Sequence, residues 1–259
     1  MATDAAKPIE QEVVASAEAH EGDHAVSRET PIPRIALQPH RGFHVKQRQA
    51  LPPEAFATAT GADSETLARL RAYLALLEKW QRRINLVSAS TLADPWRRHM
   101  LDSAQLVPLI ASHRAAKGEP GAIKIADLGS GAGFPGLVLA ILGAGSVCLI
   151  ESDSRKSVFL REAIRVTAAP ARVEAARIED LPPQCCDVVT ARACAPLPLL
   201  LAYAARHLAP EGIALLLKGR TAATELTEAE KTWKIRAHLS PSVTDPSGSV
   251  ITIEAIRPR

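Results

Sequence analysis

The stretch from Ile123 to Gly136, Ile-Lys-Ile-Ala-Asp-Leu-Gly-Ser-Gly-Ala-Gly-Phe-Pro-Gly, decides the fold of this chain. Its first half is apolar and predicts a buried strand, and its second half is a glycine-dense turn. We expect this strand to lie in a doubly wound sheet, with the turn at the carboxyl edge where ligands bind. Glycines at 129, 131 and 133 let the backbone approach a ligand closely. The stretch therefore predicts a cofactor site.

The rest of the chain alternates strands and helices, which predicts an α/β fold on a mostly parallel, seven-stranded sheet. Two C-terminal segments, 233–239 and 249–256, are expected to pair as an antiparallel hairpin at the edge of that sheet. The other strands are predicted at 123–128, 146–151, 171–175, 186–190 and 212–218, and helices at 135–142, 154–167 and 197–208.

Three regions are predicted along the chain. Residues 1–41 are polar and proline-punctuated, which favours a disordered extension. Residues 42–120 are expected to form a small helical cap, with helices over 64–80 and 96–110. Residues 121–259 are expected to form the cofactor-binding domain.

Two cofactor classes use such a glycine turn. Residues 131–136 match the dinucleotide fingerprint, and the acidic Glu151 follows at roughly the expected 20 residues. An acid two residues before the first glycine, Asp127, would repel phosphates but suits a cofactor with an amino group and a sulfonium. The pattern is thus similar to that of class I S-adenosylmethionine methyltransferases, in which Glu151 would bind the ribose. An NAD-dependent oxidoreductase is the alternative.

Residues that follow the third and fourth predicted strands bear on how the cofactor is bound and on which kind of atom is methylated. Ile178 and Glu179 stand where a methyltransferase would read adenine, although an acidic helix start exposed to solvent is the other interpretation. Cys194 could serve as a nucleophile for carbon methylation, but it lacks a preceding proline and a nearby base. No motif for adenine amine methylation is present. A nucleophile that needs no activation, such as guanine N7, fits best.

Composition and charge bound the possible partners. The net charge of +3 includes a cationic region that favours a nucleic acid substrate, although a solvated helix face would look similar. The cysteines lack metal-ligand spacing and imply no disulfide framework, and no segment is apolar enough for a secretory signal or a membrane span, which together predict a cytoplasmic protein without a metal. The cationic region contains Arg69, Arg71, Lys79, Arg82, Arg83, Arg97 and Arg98.

Five segments in order resemble one family, the bacterial small-subunit ribosomal RNA guanine-N7 methyltransferases, also called RsmG or glucose-inhibited division protein B. The segments are 77–87, 98–103, 127–136, 155–160 and 217–219. The resemblance covers about residues 43–257. It implies methylation of N7 of one guanine in 16S ribosomal RNA, with S-adenosylmethionine as donor and S-adenosylhomocysteine as product. The implied substrate is the 30S subunit or an assembly intermediate, and the protein is expected to be a monomer.

The resemblance also implies the residues that bind the cofactor. By position, its contacts fall on Gly129, Phe134, Ile178, Glu179 and Arg192, with Glu151 as the ribose-binding acid. The turn itself adds Asp127, Gly131 and Gly133 to the predicted cofactor site. Three positions depart from the family pattern: Glu151 stands where Asp is common, Phe134 stands where Leu is also usual, and Cys194 replaces a larger apolar residue.

No catalytic residue is required for an N7 reaction, because no proton has to leave, and catalysis is expected from proximity and orientation. His99 is therefore predicted to position RNA or pack a helix rather than act as a general base. Arg192 is expected to hold the methionine carboxylate or an RNA phosphate. Lys218 is a predicted phosphate or guanine contact, with a surface lysine as the alternative. A ribosome assembly factor that binds S-adenosylmethionine without catalysis is a further alternative function.

Overall fold

The computed structural model describes residues 49–118 and 121–259. The predicted extension over 1–41 lies outside these residues, as do positions 42–48 of the predicted cap. The helices are α1 (Pro53–Thr60), α2 (Ser64–Gln81), α3 (Asp102–Ala104), α4 (Val107–Lys117), α5 (Gly136–Ile141), α6 (Ser154–Thr167), α7 (Leu197–His207) and α8 (Ala222–Ala229). The strands are β1 (Lys124–Leu128), β2 (Ser146–Ile150), β3 (Ala171–Glu174), β4 (Cys186–Arg192), β5 (Leu208–Lys218), β6 (Trp233–Pro241) and β7 (Ser249–Pro258).

One sheet organises the described chain, with strand order β3-β2-β1-β4-β5-β7-β6. Strands β1 to β5 pair in parallel, whereas β7 pairs antiparallel with both β5 and β6. The predicted seven-stranded sheet and its edge hairpin are therefore confirmed. The strand order changes direction between β1 and β4, and the carboxyl ends of the parallel strands open a crevice at such a switch point.

Apolar side chains alternate along the strands and build a separate core on each face of the sheet. On one face, Ile125 and Val147 belong to a cluster that also contains residues of α1, α2, α4, α5 and α6. On the other face, Ala126 and Cys148 belong to a cluster that contains residues of α7 and α8. The first cluster runs from Phe56 to Val250, so the predicted cap and the sheet share one apolar core.

The predicted helix over 96–110 is wrong as a continuous element. Trp96–Leu101 forms a π-helix, α3 follows for a single turn, and α4 begins afresh at Val107. Pro108 explains the second break, because proline lacks the N–H that would continue the helix and its ring clashes with the preceding turn. A π-helical turn leaves no signal in apolar periodicity, and such turns are frequent at functional sites.

Helix α2 of the cap is tied directly to the glycine turn. Tyr73, which is fully buried, donates a hydrogen bond from its hydroxyl to the carbonyl of Ala132. Its ring packs on that of Phe134, with ring centroids 5.3 Å apart. Helix α2 therefore holds the turn in place through one hydrogen bond and one ring contact.

Candidate active site

A cavity of about 730 Å³ opens at the carboxyl edge of the sheet. Its walls come from the glycine turn, the ends of β2 and β4, the segment 86–91 after α2, and the π-helix. Predicted site residues that line it are Gly129, Gly131, Phe134, Glu151, Ile178, Glu179, Arg192 and His99. Lys218 lines a smaller neighbouring cavity, and Asp127 and Gly133 line neither of the two.

Glu151 and the glycine turn form the first wall of this cavity. The amide of Gly131 donates to Glu151 Oε2 at 2.8 Å, and the amide of Asp153 donates to Oε1 at 2.8 Å. Gly131 has a φ of 56°, and a Cβ there would meet only a carbonyl oxygen 3.8 Å away. The turn is therefore open towards the cavity. Each carboxylate oxygen of Glu151 keeps a lone pair for a further donor such as a ribose hydroxyl.

Asp127 lies behind the glycine turn, not against the cavity. Its fully buried carboxylate accepts from Thr190 Oγ1 at 2.8 Å and from the Gly136 amide at 3.2 Å. Burial raises the pKa of this carboxyl to about 6, against the effect of those hydrogen bonds. Gly133 is equally enclosed, since a Cβ there would lie 2.8 Å from the Tyr73 hydroxyl. Both residues thus support the turn from within.

Ile178 and Glu179 also line the cavity, in a 3-10 turn over Ile178–Asp180. The carbonyl of Ile178 bonds to Nε2 of His207, a fully buried side chain of α7, at 3.0 Å. The carboxylate of Glu179 is paired with Arg177 at 2.6 Å, and both groups are exposed to solvent. The sequence gives no signal for His207, because only the tertiary packing brings α7 beneath this turn.

Arg192 joins the end of β4 to the π-helix. Its Nη1 donates to the carbonyl of Arg98 at 3.0 Å and to Asp102 Oδ2 at 3.1 Å. Its Nη2 bonds to His99 Nδ1 at 3.0 Å, and its guanidinium carbon lies 4.9 Å from the centre of the Phe134 ring. Nε and one Nη2 hydrogen find no partner within 49–118 and 121–259, so they are available to a ligand.

His99 is buried within this cluster, at the edge of the cavity. Its ring stacks on Phe134 at 4.6 Å between centroids, and its Nε2 lies 2.9 Å from Thr91 Oγ1. Burial and the charges of the two neighbouring arginines lower the pKa of His99 to about 3. Because Arg192 occupies Nδ1 as a donor, the proton sits on Nε2 and points at Thr91. The neutral ring has no free lone pair with which to accept a proton.

Lys218 and Cys194 are also committed locally. The Lys218 ammonium donates to the Ala195 carbonyl at 2.9 Å and pairs with Glu225 at 2.6 Å, with its side chain 10% exposed. Burial raises the pKa of the Cys194 thiol, so it is protonated at neutral pH and is a poor nucleophile. Neither residue is placed as a free reactive group.

The described ranges contain neither a metal-binding cluster nor a membrane-spanning helix. Between 49 and 118 and between 121 and 259, no three His, Cys, Asp or Glu side chains gather in a way that could hold a metal ion. Among the helices of those ranges, none is long and apolar enough to cross a membrane.

Comparison with known proteins connects this geometry to one family. The family described as rRNA small subunit methyltransferase G matches residues 66–248. The chain is 54% identical over 204 residues to the ribosomal RNA small subunit methyltransferase G of Paramagnetospirillum magneticum, covering 79% of this chain and 96% of that protein. The protein of that name from Rhodospirillum centenum is also 54% identical, covering 79% and 91%. The solved structure of cofactor-bound Rv0187 from MTB has a TM-score of 0.50 at 16% identity, covering 80% of this chain and 99% of that one, and shows the fold alone.

Proposed function

The chain belongs to the rRNA small subunit methyltransferase G family, and from this membership we propose that it methylates N7 of one guanine in 16S ribosomal RNA. The methyl donor is S-adenosylmethionine. Membership decides against the NAD-dependent oxidoreductase that the glycine fingerprint left open. The observation that carries the proposal is a single cavity that is lined by the glycine turn, Glu151, Ile178 and Arg192.

The residues of the cavity fit S-adenosylmethionine, which when bound supplies an electrophilic methyl group. Glu151 has spare lone pairs for two ribose hydroxyls, and its exposed fraction of 7% keeps water away from them. Gly131 leaves room for the cofactor to approach the backbone. The 3-10 turn at Ile178 offers backbone groups and the carboxylate of Glu179 to the adenine. Asp127 and Gly133 hold the turn without contact with the cofactor.

The chain contributes orientation and not proton transfer. Arg192 has two unused N–H donors at the cavity wall, suited to the methionine carboxylate or an RNA phosphate. His99 fixes the Arg192 fork and the Phe134 ring without exchanging a proton. Lys218 supports the loop after β4 through the Ala195 carbonyl. Proximity of N7 to the methyl group then accounts for the rate.

We expect the single-turnover rate to vary by less than about twofold between about pH 6.5 and 8.5, without the bell of an essential acid and base. Guanine N7 has no proton to lose, and His99, with a pKa of about 3, stays neutral throughout. The same depressed pKa means that His99 contributes its full stability above pH 6.5 and loses it as the pH falls towards 3. Rapid-quench assays at saturating substrates measure the rate. A single ionisation near neutral pH that vanishes in His99→Gln would contradict this expectation.

The RNA-docking surface is narrower than the cationic region suggested. Arg69 donates to the carbonyls of Thr167 and Ala168 at the end of α6, at 2.6 and 3.1 Å. Arg71, Arg97 and Arg98 pair with Glu54, Asp94 and Asp245. Within the cationic region, three side chains have no polar partner among the described residues. They are Lys79, Arg82 and Arg83, at the end of α2 that leads into the cavity wall. These three are the proposed phosphate contacts.

Two arginine variants separate docking from stability. Arg69→Ala is expected to lower the free energy of unfolding by about 1 kcal/mol, because two carbonyls at a helix end lose their donor. Arg83→Ala should leave stability within about 0.5 kcal/mol but reduce the salt dependence of RNA binding by about one phosphate contact. Urea unfolding and filter binding over a range of salt concentrations measure both. The reverse pattern would place Arg69 on the RNA surface.

The proposal extends to the partner and the compartment. The proposed substrate is the guanine within the 30S subunit or an assembly intermediate, and the chain is proposed to act as a monomer. Because ribosomal RNA is its substrate, we propose that it acts in the cytoplasm. Gel filtration with light scattering tests the monomer.

The decisive experiment incubates the full chain with tritiated S-adenosylmethionine and 30S subunits from cells lacking this enzyme. We expect label in 7-methylguanosine at one position of 16S ribosomal RNA, identified by nuclease mapping and mass spectrometry. S-adenosylhomocysteine, but not NAD, should raise the melting temperature. RNA and cofactor binding without transfer would favour a non-catalytic assembly factor, and stabilisation by NAD alone would overturn the proposed cofactor.

A further inference from the structure

A second cavity, of about 320 Å³, adjoins the first at the ends of β4 and β5. The loop joining β6 to β7, over 242–248, closes its far side. The two cavities share Arg98, Asp102, Arg192 and Ala193. A group bound in the smaller cavity therefore lies directly beside a ligand in the larger one.

The charges lining the smaller cavity balance. Its charged residues are Arg98, Arg192 and Lys218, and Asp102, Glu225 and Asp245. Three cations facing three carboxylates offer no net attraction to a phosphate, which a basic site would provide. A cavity that is polar but balanced suits a neutral ligand with both donors and acceptors, such as a nucleobase.

One ion pair in this cavity has unused hydrogen-bonding capacity. Arg98 Nη1 and Asp245 Oδ2 are 2.8 Å apart, and these side chains are 40% and 33% exposed. The Ser247 amide and hydroxyl occupy Asp245 Oδ1, while Oδ2 accepts only from Arg98 in the described chain. Arg98 Nε and Nη2 have no partner among the described residues. The Arg98 guanidinium holds the pKa of Asp245 at about 2, so this carboxyl stays an acceptor.

The chemistry of N7 limits how the target guanine can be recognised. The most frequent protein contact to guanine is an arginine fork on O6 and N7, which would occupy the nucleophile. Recognition must therefore use the Watson–Crick edge, where O6 accepts and N1–H and the 2-amino group donate. This edge is matched by a donor next to an acceptor, and a cation beside a carboxylate supplies both.

We propose that the smaller cavity binds the target guanine and that the Arg98–Asp245 pair reads its Watson–Crick edge. Arg98 donates to O6, and Asp245 Oδ2 accepts from N1–H, which leaves N7 free to face the shared wall. This inference rests on the proposed N7 methylation. Adenine is excluded because its N1 lone pair would face the Asp245 carboxylate and its 6-amino group would face the Arg98 guanidinium.

The test compares nucleotide preference and methylation in four full-length proteins. The wild type, Asp245→Asn and Arg98→Gln are each saturated with S-adenosylhomocysteine and titrated with GMP and AMP, which carry the same phosphate. Glu254→Gln is the matched control, because it breaks an exposed pair with Arg236 on the β6–β7 hairpin and neither of these two residues lines a cavity. Single-turnover methylation of 30S subunits is measured with the same proteins.

We expect the wild type and the control to prefer GMP by at least about tenfold, the discrimination of one good edge contact. Asp245→Asn should reduce the preference for GMP over AMP at least about fivefold. It should lower kcat/KM on 30S subunits by a similar factor, with cofactor affinity unchanged. Arg98→Gln, which removes the O6 donor, should do the same, so the test survives if one variant fails to fold. The inference is wrong if the wild type shows no preference, or if the folded variants behave like the control. Failure of the wild type to methylate 30S subunits would instead overturn the proposed function, whatever the nucleotide preference.

Discussion

Replacing Arg192 is expected to lower the single-turnover methylation rate roughly a hundredfold, the size of effect that follows from misplacing a reactant by about an ångström. The guanidinium holds the Arg98 carbonyl, Asp102 and His99 at once, at 3.0 to 3.1 Å. Lysine keeps the charge but cannot reproduce a planar fork, so Arg192→Lys should fail almost as badly as Arg192→Ala. The loss is expected because the cavity wall no longer holds the cofactor and the RNA in the positions that methyl transfer requires.

Stability separates the two Arg192 variants. Arg192→Ala leaves Asp102 Oδ2 and His99 Nδ1 without their donor and is expected to cost about 1 to 3 kcal/mol of unfolding free energy. Arg192→Lys retains the charge opposite Asp102 and should cost less, which makes it the diagnostic variant. Arg206→Lys is the matched control, since Arg206 also donates through two nitrogens, to the Leu181 carbonyl, but lies outside both cavities.

Two binding measurements then assign Arg192 to a ligand. Weaker binding of S-adenosylhomocysteine in calorimetry, with RNA affinity unchanged, would place its free donors on the methionine carboxylate. Unchanged cofactor affinity with one fewer phosphate in the salt dependence of RNA binding would place them on RNA. Wild-type rates on 30S subunits in both variants would contradict the proposed orienting function of Arg192.

Glu151→Gln is expected to weaken cofactor binding by about 1.5 to 3 kcal/mol, because the hydrogen bonds to the ribose lose their charge assistance. The structure adds a second cause. Glu151 accepts from the amides of Gly131 and Asp153 through different oxygens, and glutamine has only one acceptor oxygen. One of these two amides, that of Gly131 in the glycine turn or that of Asp153, therefore loses its acceptor.

Calorimetry with S-adenosylhomocysteine measures this effect. Glu174→Gln provides the matched control, since Glu174 also ends a strand but pairs with Arg172 away from the cavity. RNA binding should be nearly the same in all three proteins. Cofactor affinity equal to that of the wild type in Glu151→Gln would refute the ribose assignment.

Local features of the sequence predicted most of the strands and helices. Apolar runs predicted each strand to within a few residues, because a parallel strand that is buried on both faces has consecutive apolar side chains. Helix α6 was predicted with its bounds unchanged, Ser154–Thr167, since Asp153 caps its first turn and an apolar stripe follows. The break after Leu101 was missed because a π-helical turn leaves no signal in apolar periodicity, and α8 was missed although its eight residues form a short amphipathic helix.

The sequence alone determined the sheet, the glycine turn and the placement of Glu151 at the cavity, because each depends on residues adjacent along the chain. Tertiary structure alone decided what the polar side chains do there. Arg192 bonds to His99 and Asp102, which lie 93 and 90 residues away along the chain, and Lys218 forms an ion pair with Glu225. Asp127 turns away from the cavity because its carboxylate bonds to Thr190 on the neighbouring strand. A side chain's hydrogen bonds are set by whichever partners packing brings within about 3 Å, and a linear pattern does not contain that distance.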